Sequence, residues 1–220
     1  RELIGMVGSG LPMNLLDEDI RRLLNVQYIL WPDYQFGQSL SDLSVLSRTQ
    51  LQDGTPYETV HRVSGLPRAR LVGSATVKTD AEAVGYMLSS DFDPVREAVL
   101  AEASPITLDG EPVIGSVAWQ ERSPNRQRLS VSSDRPALLV ISDNWFPAWR
   151  AKVDGIDTPV IRAYHTLRAI PVDAGDHTVD MVYESDVVIR SFWLSIILFF
   201  TLSGASGYQF WRERRTGRNI

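Results

Sequence analysis

The feature that most constrains this chain is a run of 21 residues without a charged side chain, from Ser191 to Trp211. An α-helix rises about 1.5 Å per residue, so the run reaches roughly 30 Å, the thickness of a bilayer's hydrocarbon core. Trp193 lies near one end and Tyr208 near the other, where aromatic rings with a polar edge favour the membrane interface. The run predicts a transmembrane helix over residues 190–212 rather than a buried core helix.

The charges that flank this run predict its orientation. One arginine, Arg190, precedes the run, and four follow it: Arg212, Arg214, Arg215 and Arg218. Because basic residues accumulate on the cytoplasmic side of a membrane, residues 1–189 are expected outside the cytoplasm and residues 213–220 form a cytoplasmic basic tail. The chain begins without a signal-peptide pattern, so we expect the C-terminal piece of a longer membrane protein, with a trimmed signal peptide as the alternative.

The charge balance of the part before the run excludes one class of partner. Residues 1–189 hold 17 Lys and Arg against 26 Asp and Glu, a balance of −9. An acidic region without a basic stripe lacks the charges that bind phosphate backbones, which argues against nucleic acid. The chain has no cysteine, so disulfides, thiolate metal sites and cysteine nucleophiles are excluded.

From Gly115 onward, short apolar stretches follow one another at intervals of about 8 to 12 residues, the spacing of sandwiches and barrels. The two residues Asp154-Gly155 form a turn that needs positive φ, which predicts a β-hairpin. We expect residues 115–189 to form an antiparallel β-sandwich of jelly-roll-like type. The predicted strands are 117–120, 128–131, 137–141, 149–153, 159–162, 167–172 and 178–183.

Residues 1–114 mix helical and strand patterns and predict an α+β part. Helices are predicted over 15–24 and 81–88, and strands over 26–30, 57–63 and 69–77. Residues 33–56 are polar and poorly periodic, which predicts a loop. The expected fold is therefore mainly β, with an α+β N-terminal part and an antiparallel sandwich followed by a single transmembrane helix.

Several motifs carry a resemblance to a known family. Residues 142–155 read Ser-Asp-Asn-Trp-Phe-Pro-Ala-Trp-Arg-Ala-Lys-Val-Asp-Gly, and residues 175–179 read Gly-Asp-His-Thr-Val. This resembles the C-terminal extracytoplasmic portion of the YfhO family of bacterial membrane proteins, in which an aromatic-Pro-Gly-Trp motif precedes a Val-Asp-Gly hairpin and a Gly-x-His-x-Val strand. Ala148 stands where the family usually has glycine. Leu24–Leu30 and Leu66–Ala69 resemble two shorter stretches of the family.

The resemblance implies a large polytopic protein, similar to the lipid-linked-sugar glycosyltransferases that decorate cell-surface polymers such as teichoic acids. In those enzymes the catalytic acidic residue belongs to an early outer loop, a part absent from this sequence. The chain is therefore expected to be an accessory outer lobe with the last membrane helix, and it is assigned no catalytic residue. Its expected partners are the lipid bilayer, the rest of the polytopic protein, and a glycan or a polyprenyl-phosphate sugar.

An aromatic cluster provides the first candidate binding residues, Trp145, Trp149 and Tyr164, together with Phe146. Flat indole and phenol faces pack against the C–H faces of sugar rings, so the cluster predicts a glycan platform. The alternative is structural: Trp149 and Phe146 fill the sandwich core and Pro147 fixes the turn, since aromatic side chains dominate cores as readily as interfaces.

Basic side chains extend this candidate site. Arg162 and Arg168, with Lys152, predict contacts to the phosphate of a polyprenyl-phosphate sugar, because a guanidinium binds phosphate with two hydrogen bonds. Solvated strand faces explain these residues equally well. Asp143, Asp154 and Asp157 are further candidates for acid, base or cation chemistry, although the hairpin turn is a sufficient explanation for Asp154.

No metal site or cofactor is predicted, since the three histidines lie far apart without ligand spacing. Two other functions stay open. One is a self-standing membrane-anchored carbohydrate-binding module, and the other is a purely structural role in assembly.

Overall fold

The computed structural model describes residues 6–7, 11–12, 18–32, 44–50, 54, 56–61 and 65–216. The helices are α1 (Glu18–Leu23), α2 (Asp80–Met87) and α3 (Asp186–Thr216). The strands are β1 (Met6–Val7), β2 (Leu11–Pro12), β3 (Tyr28–Pro32), β4 (Ser44–Gln50), β5 (Pro56–His61), β6 (Ala69–Val72), β7 (Ser74–Val77), β8 (Glu97–Leu100), β9 (Gly115–Arg122), β10 (Arg126–Ser133), β11 (Ala137–Ile141), β12 (Trp149–Val153), β13 (Ile156–Thr158), β14 (Ile161–Ala163), β15 (Leu167–Val172) and β16 (Gly175–Tyr183). The chain up to Val182 forms one compact unit, and the chain from Tyr183 forms a second.

Two sheets form a β-sandwich in the first unit, which confirms the predicted fold class. The five-stranded sheet has the order β13-β12-β16-β10-β9, and the six-stranded sheet has the order β6-β11-β15-β14-β8-β7. The pairing is nested, because β10 pairs with β16 in one sheet and β11 pairs with β15 in the other. This is how the doubled ribbon of a jelly roll distributes its strands. The pair β7–β8 departs from the antiparallel rule, since these two strands run parallel.

The core between the sheets follows from the alternation of side chains along each strand. On β10, Leu129 and Val131 are at most 1% exposed, and on β16 the same is true of Val179 and Met181. Their strand neighbours on β10 are exposed, as Arg128 is, or half-buried, as Ser130 is. A strand that alternates in this way buries one face and exposes the other, so the five-stranded sheet has one face in the core and one in solvent.

The six-stranded sheet is covered on both faces. Every residue of β11 and β15 is buried. On one face, Leu138 and Val140 share a buried cluster with Ile20 of α1 and Met87 of α2. Because side chains alternate along a strand, Leu139 and its alternate neighbours point to the opposite face and into the sandwich. The unit is therefore three-layered, and the uninterrupted apolar run of β11 is typical of a strand buried on two sides.

A capping box starts α2. The Glu82 carboxylate accepts hydrogen bonds from the backbone N–H of Thr79 at 3.1 Å and from its hydroxyl at 2.7 Å. The first of these bonds satisfies a backbone donor that the helix start leaves open. The helix predicted over 81–88 begins one residue earlier, so that Asp80 is its first residue. Its carboxylate is thus available for a partner elsewhere.

Two N-terminal predictions require correction. The sequence predicted a loop over residues 33–56, but Ser44–Gln50 forms β4 and pairs with β5 in a three-stranded sheet. Its sequence, Ser-Val-Leu-Ser-Arg-Thr-Gln, has no strict alternation of apolar and polar residues, so the usual strand signal is missing. The strand predicted over 26–30 begins and ends two residues later, as β3. Residues 15–17, 33–43 and 62–64 lie outside the described residues.

The single strand predicted over residues 69–77 is two strands, β6 and β7, separated at Gly73. A Cβ atom at Gly73 would lie 2.1 Å from the carbonyl oxygen of Glu111 and 2.9 Å from the Val113 side chain. Only glycine permits this close approach of two backbones. The chain therefore changes partner here, since β6 pairs with β11 and β7 pairs with β8.

The predicted domain boundary after residue 114 does not separate two compact units. Strands β6, β7 and β8 precede it, yet they share the six-stranded sheet with β11, β14 and β15. Sequence periodicity reports local structure and not which sheet a strand joins. The α+β part and the sandwich of the prediction are therefore one unit, at least from residue 69 onward.

The β12–β13 hairpin forms as predicted, around a turn in which Asp154 and Gly155 have φ angles of 51° and 84°. Positive φ at both central residues is the conformation of a type I′ hairpin turn. The second strand, however, is Ile156–Thr158 rather than 159–162. Pro159 has no N–H donor for a ladder, and the chain then enters β14 in the other sheet.

The second unit is the helix α3, which contains a 22-residue segment, Val187–Tyr208, with a mean hydropathy of 1.8. The segment is long and apolar enough to cross a membrane by length and composition, and none of its most apolar window is buried. It starts four residues before the predicted run, because Val187 and Ile189 are also helical and apolar. Arg190 therefore lies inside the segment and not at its border.

Candidate functional site

Trp145 and Arg162 form the more exposed part of the predicted site. The indole N–H of Trp145 donates to the carbonyl oxygen of Val160 at 2.9 Å. The backbone N–H of Trp145 donates to the carbonyl oxygen of Thr166 at 2.6 Å. The guanidinium carbon of Arg162 lies 5.8 Å from the centre of the Trp145 ring. Arg162 also donates to Asp80 at 2.7 Å. The half-buried indole is thus held at its polar atom and faces a cation that is anchored to α2.

Phe146 lies beside this pair and is 53% exposed. The structural interpretation of the sequence placed Phe146 in the sandwich core, and this is wrong. Its carbonyl oxygen accepts a hydrogen bond from the Trp149 N–H at 3.1 Å, so residues 146–149 form a tight turn. Ala148 is buried and does not have a positive φ. The turn therefore needs no glycine at that position.

Tyr164 is fully buried, and a buried ring presents no face to a ligand in solution. Its hydroxyl donates to the carbonyl oxygen of Glu97 at 2.8 Å and accepts from Arg70 at 3.0 Å. Burial raises the pKa of Tyr164 to about 12, against a smaller opposing effect of Arg70. The ring packs edge-on against Phe92 with centroids 6.1 Å apart. The structure therefore gives Tyr164 a place in the core between the six-stranded sheet and the helices.

Trp149 and Arg168 meet in the interior of the sandwich. The guanidinium carbon of Arg168 lies 4.1 Å from the centre of the Trp149 ring. Arg168 is 2% exposed and donates to Asp143 at 2.8 Å. The other carboxylate oxygen of Asp143 accepts from Arg68 at 2.6 Å, and Gln127 donates to Asp143 at 3.0 Å. Asp143 therefore bridges two arginines, and a buried charge is stable only when it is paired in this way.

The pKa values of this network follow from burial and charge. Burial lowers the pKa of Arg168 to about 10, although Asp143 opposes this, and the nearby Arg68 lowers it further. Burial alone would raise the pKa of Asp143. The hydrogen bonds from Arg68 and Gln127 and the charges of both arginines outweigh it, so the pKa of Asp143 lies below its ordinary value. The pair stays ionised at neutral pH.

Four of the five predicted binding residues are neighbours. Trp145 lies beside Arg162 and Trp149 beside Arg168, and the two arginines lie directly opposite each other on β14 and β15. Tyr164 is separate, because it lies in the core that the six-stranded sheet shares with the helices. The sequence missed Arg68, Gln127 and Trp119 as members of the Asp143 network. One signal was available, because Arg168 is the only charged residue in the apolar strand β15, and a charge in such a strand requires a buried partner.

Two histidines have carboxylate partners. The Nδ1 atom of His177 lies 2.7 Å from Asp154, which also accepts the backbone N–H of Thr178 at 2.8 Å. The hydrogen bond to Asp154 raises the pKa of His177, against a smaller effect of burial. His165 lies 3.7 Å from Asp80. Both contacts connect turns to neighbouring elements and give neither histidine the geometry of a base beside a nucleophile.

Within the described ranges, no group of three His, Asp or Glu side chains is arranged to hold a metal ion. The predicted absence of a metal site stays a prediction. Comparison with protein-family models, curated proteins and solved structures found no match for this chain. The chemistry of the site therefore has to be inferred from its own residues.

Proposed function

We propose that this chain is the C-terminal outer lobe and last membrane helix of a YfhO-like polytopic bacterial membrane protein. The parent protein resembles glycosyltransferases that use lipid-linked sugars to decorate cell-surface polymers. The lobe is accessory: it shapes the acceptor side of a site whose catalytic residues lie in another part of the parent. The proposal rests on the motifs of residues 142–155 and 175–179 together with the helix α3.

The observation that carries the membrane part of the proposal is the exposure of α3. Apart from the half-buried Ile196, the large apolar side chains of α3 that the structure describes are between 50% and 74% exposed, as Phe192, Leu198 and Phe200 illustrate, and they point outward all round the helix. Soluble proteins rarely expose contiguous apolar patches larger than a few hundred Å². A helix that is apolar on every side requires lipid or protein around it.

The polar side chains of α3 fit the same environment. The hydroxyl of Ser195 donates to the carbonyl oxygen of Ser191 at 2.8 Å, and that of Thr201 donates to Leu198 at 2.9 Å. Lipid offers no hydrogen-bond partner, so polar groups in a bilayer have to be satisfied within the protein. These two hydroxyls therefore do not need water as a hydrogen-bond acceptor.

The charges support an orientation with the lobe outside. Residues 190–220 carry five arginines and one acidic residue, and four of the arginines follow Trp211. Arginine-rich flanks stay in the cytoplasm, and the acidic residues before the helix contribute little to orientation. Residues 1–189 are therefore extracytoplasmic in this proposal.

The first experiment tests membrane attachment and parentage together. The full chain is produced in bacteria, and membranes are washed with alkaline carbonate; we expect the chain to stay in the membrane and a variant lacking residues 187–208 to appear in the soluble fraction. The reading frame upstream of Arg1 is then determined. Several further apolar spans of about 20 residues support the polytopic parent, and a frame with only a signal peptide contradicts it.

The enzymatic part is tested in the source cells. Deleting the gene for the parent is expected to remove one sugar substituent from a surface polymer, measured by composition analysis of purified wall polymer. An unchanged polymer contradicts the glycosyltransferase proposal. Replacing only the lobe residues Trp145 and Phe146 by alanine is expected to reduce sugar transfer without abolishing it. The reason is that the lobe acts on the acceptor and supplies no catalytic residue.

A second candidate function is a membrane-anchored carbohydrate-binding module, and exposed Phe146 next to Trp145 favours it. Aromatic surfaces at such positions bind the apolar faces of sugars. Calorimetry of the full chain in detergent with purified surface polymers tests this function. Binding that is lost in Phe146→Ala supports the module, and failure of every polymer to bind removes it. Phe146→Ala is preferable to Trp145→Ala because it leaves the indole hydrogen bond to Val160 intact.

A further inference from the structure

We propose that the side chains around Trp119, which we call the arginine cluster (Arg68, Trp119, Arg122, Asp143 and Arg168), form a binding site for an oxyanion, either a phosphate or a carboxylate group. The cluster shares Arg168 with the predicted binding residues, and Arg168 lies directly opposite Arg162 in the strand register. This site goes beyond the proposed function, because it requires neither a membrane nor a sugar.

Trp119 organises two of the arginines. It lies on β9, the edge strand of the five-stranded sheet. The guanidinium carbon of Arg68 lies 5.9 Å from the centre of its ring, and that of Arg122 lies 5.6 Å from it. A guanidinium that rests on an aromatic face keeps its planar edge of N–H donors available for another partner. Trp119 is therefore a positioning residue for two cations.

The charges of the cluster do not balance. The cluster contains three guanidinium groups and one carboxylate, that of Asp143, which gives a net charge of +2, and Asp143 pairs with Arg68 and Arg168. Both oxygens of Asp143 are already occupied, one by Arg68 and the other by Arg168 and Gln127. The nearest carboxylate in sequence, Glu121, lies opposite Arg128 in the strand register and interacts with that residue.

This local excess of positive charge lies in an acidic region. Residues 1–189 carry a balance of −9, so the cluster is an exception to the charge of its surroundings. Like charges held close together repel one another, and the repulsion costs free energy unless an anion neutralises it. Such an arrangement is typical of anion recognition.

The cluster also has open hydrogen-bond donors. The Nε atom of Arg68 is buried and has no hydrogen-bond partner, whereas its side chain as a whole is 32% exposed. Arg122 is exposed and forms no ion pair with any other residue that the structure describes. An oxyanion accepts several charge-assisted N–H bonds at once, and these are the strongest kind of hydrogen bond in proteins. Arg68 and Arg122 therefore bring such donors to the same ring.

The experiment measures anion binding by calorimetry of the full chain in a neutral detergent at low salt. The probes are glycerol 3-phosphate for a phosphate group, glucuronate for a carboxylate group, and glucose as the uncharged control. We expect one or both anions to bind, glucose to give no heat, and Arg122→Gln to weaken binding about tenfold or more, because a hydrogen bond to a charged group is lost. The better of the two anions identifies the oxyanion that the site prefers.

A matched control removes the same charge elsewhere. Arg150 is exposed on β12, three strands from β9 in the same sheet, and Arg150→Gln is expected to bind the anion as the unchanged protein does. Two results overturn the proposal. The first is no binding of either anion at about 50 mM, which is some hundredfold above the concentration that a charged site with several such bonds needs. The second is an equal loss of affinity in Arg122→Gln and Arg150→Gln. Neither result bears on membrane attachment, so this proposal and the proposed function fail separately.

Discussion

The sandwich and the helix α3 use the same apolar residue types in opposite ways. In the sandwich, Leu139 and Ile170 are fully buried by other strands, whereas in α3 Leu198 and Phe199 are more than half exposed. The polar groups show the same contrast. Arg168 pairs with a carboxylate that lies 25 residues away in sequence, whereas the hydroxyl of Thr201 donates to a carbonyl oxygen only three residues away.

This difference indicates which kind of surroundings stabilises each region. A sandwich that recruits distant partners gains its stability cooperatively, from burial in its own interior. A helix that satisfies its backbone and hydroxyls locally, and leaves its apolar side chains outside, needs an apolar surrounding to be stable. The two regions therefore respond to substitution in different ways, and four predictions test this.

The largest effect is expected from Asp143→Ala. The substitution leaves Arg68 and Arg168 without their shared carboxylate, and breaking a buried ion pair costs about 3 to 5 kcal/mol of unfolding free energy. Urea unfolding of the full chain in detergent, followed by near-ultraviolet circular dichroism, measures the loss. Asp157→Ala is the control, because this carboxylate is 86% exposed and lies 3.6 Å from Lys152. Equal stability of the two variants contradicts a stabilising role for the network.

The next effect compares two leucines. Leu139→Ala on β11 empties a buried position and is expected to lower the unfolding free energy of the sandwich by about 3 kcal/mol. Leu198→Ala on α3 is expected to change that free energy by less than about 0.5 kcal/mol, because its side chain is 56% exposed. The same urea titration measures both. A similar loss in both variants implies that α3 packs as a core helix.

A charge in α3 tests the lipid environment directly. Leu198→Arg is expected to disfavour insertion by about 3 kcal/mol, which is close to the cost of an arginine at the centre of a membrane helix. The fraction of the chain that resists carbonate extraction measures the effect, with Leu198→Ala as the control. Unchanged extraction of the arginine variant contradicts a lipid-facing position.

The smallest effect concerns pH and the β12–β13 hairpin. The hydrogen bond to Asp154 raises the pKa of His177 above 6.5, so the protonated pair stabilises the folded state fully below pH 6.5. That contribution is lost as the pH rises through the raised pKa. We therefore expect a slight fall in melting temperature from pH 6 to pH 8, which is absent in His177→Gln. A melting temperature that falls equally in both proteins assigns the effect to other groups.

Much of the fold could be predicted from local sequence patterns alone. The hairpin turn at Asp154 and Gly155, the apolar run of β11 and the uncharged run of α3 each depend on residues that are close in sequence. Such features can be predicted because turn chemistry and periodicity act locally. Sheet membership could not be predicted in this way, because β6 pairs with β11 across more than 60 residues.

The candidate site was less accessible to prediction. Aromatic residues alone do not reveal whether they are buried, and Trp149 and Tyr164 lie inside whereas Phe146 lies outside. The network around Asp143 joins residues from β9, β10, β15 and two loops, and no spacing pattern connects them. A charged residue inside an apolar strand was the one usable sign.

The most direct test of the membrane assignment uses the absence of cysteine from this chain. Single variants Ile156→Cys in the hairpin, Ile197→Cys in α3 and Gly217→Cys in the tail are labelled in intact cells with a membrane-impermeant maleimide. The account predicts labelling at position 156 in intact cells, at position 217 only after permeabilisation, and at position 197 only after the membrane is dissolved. Labelling of position 197 in intact cells, or of position 217 before permeabilisation, contradicts it.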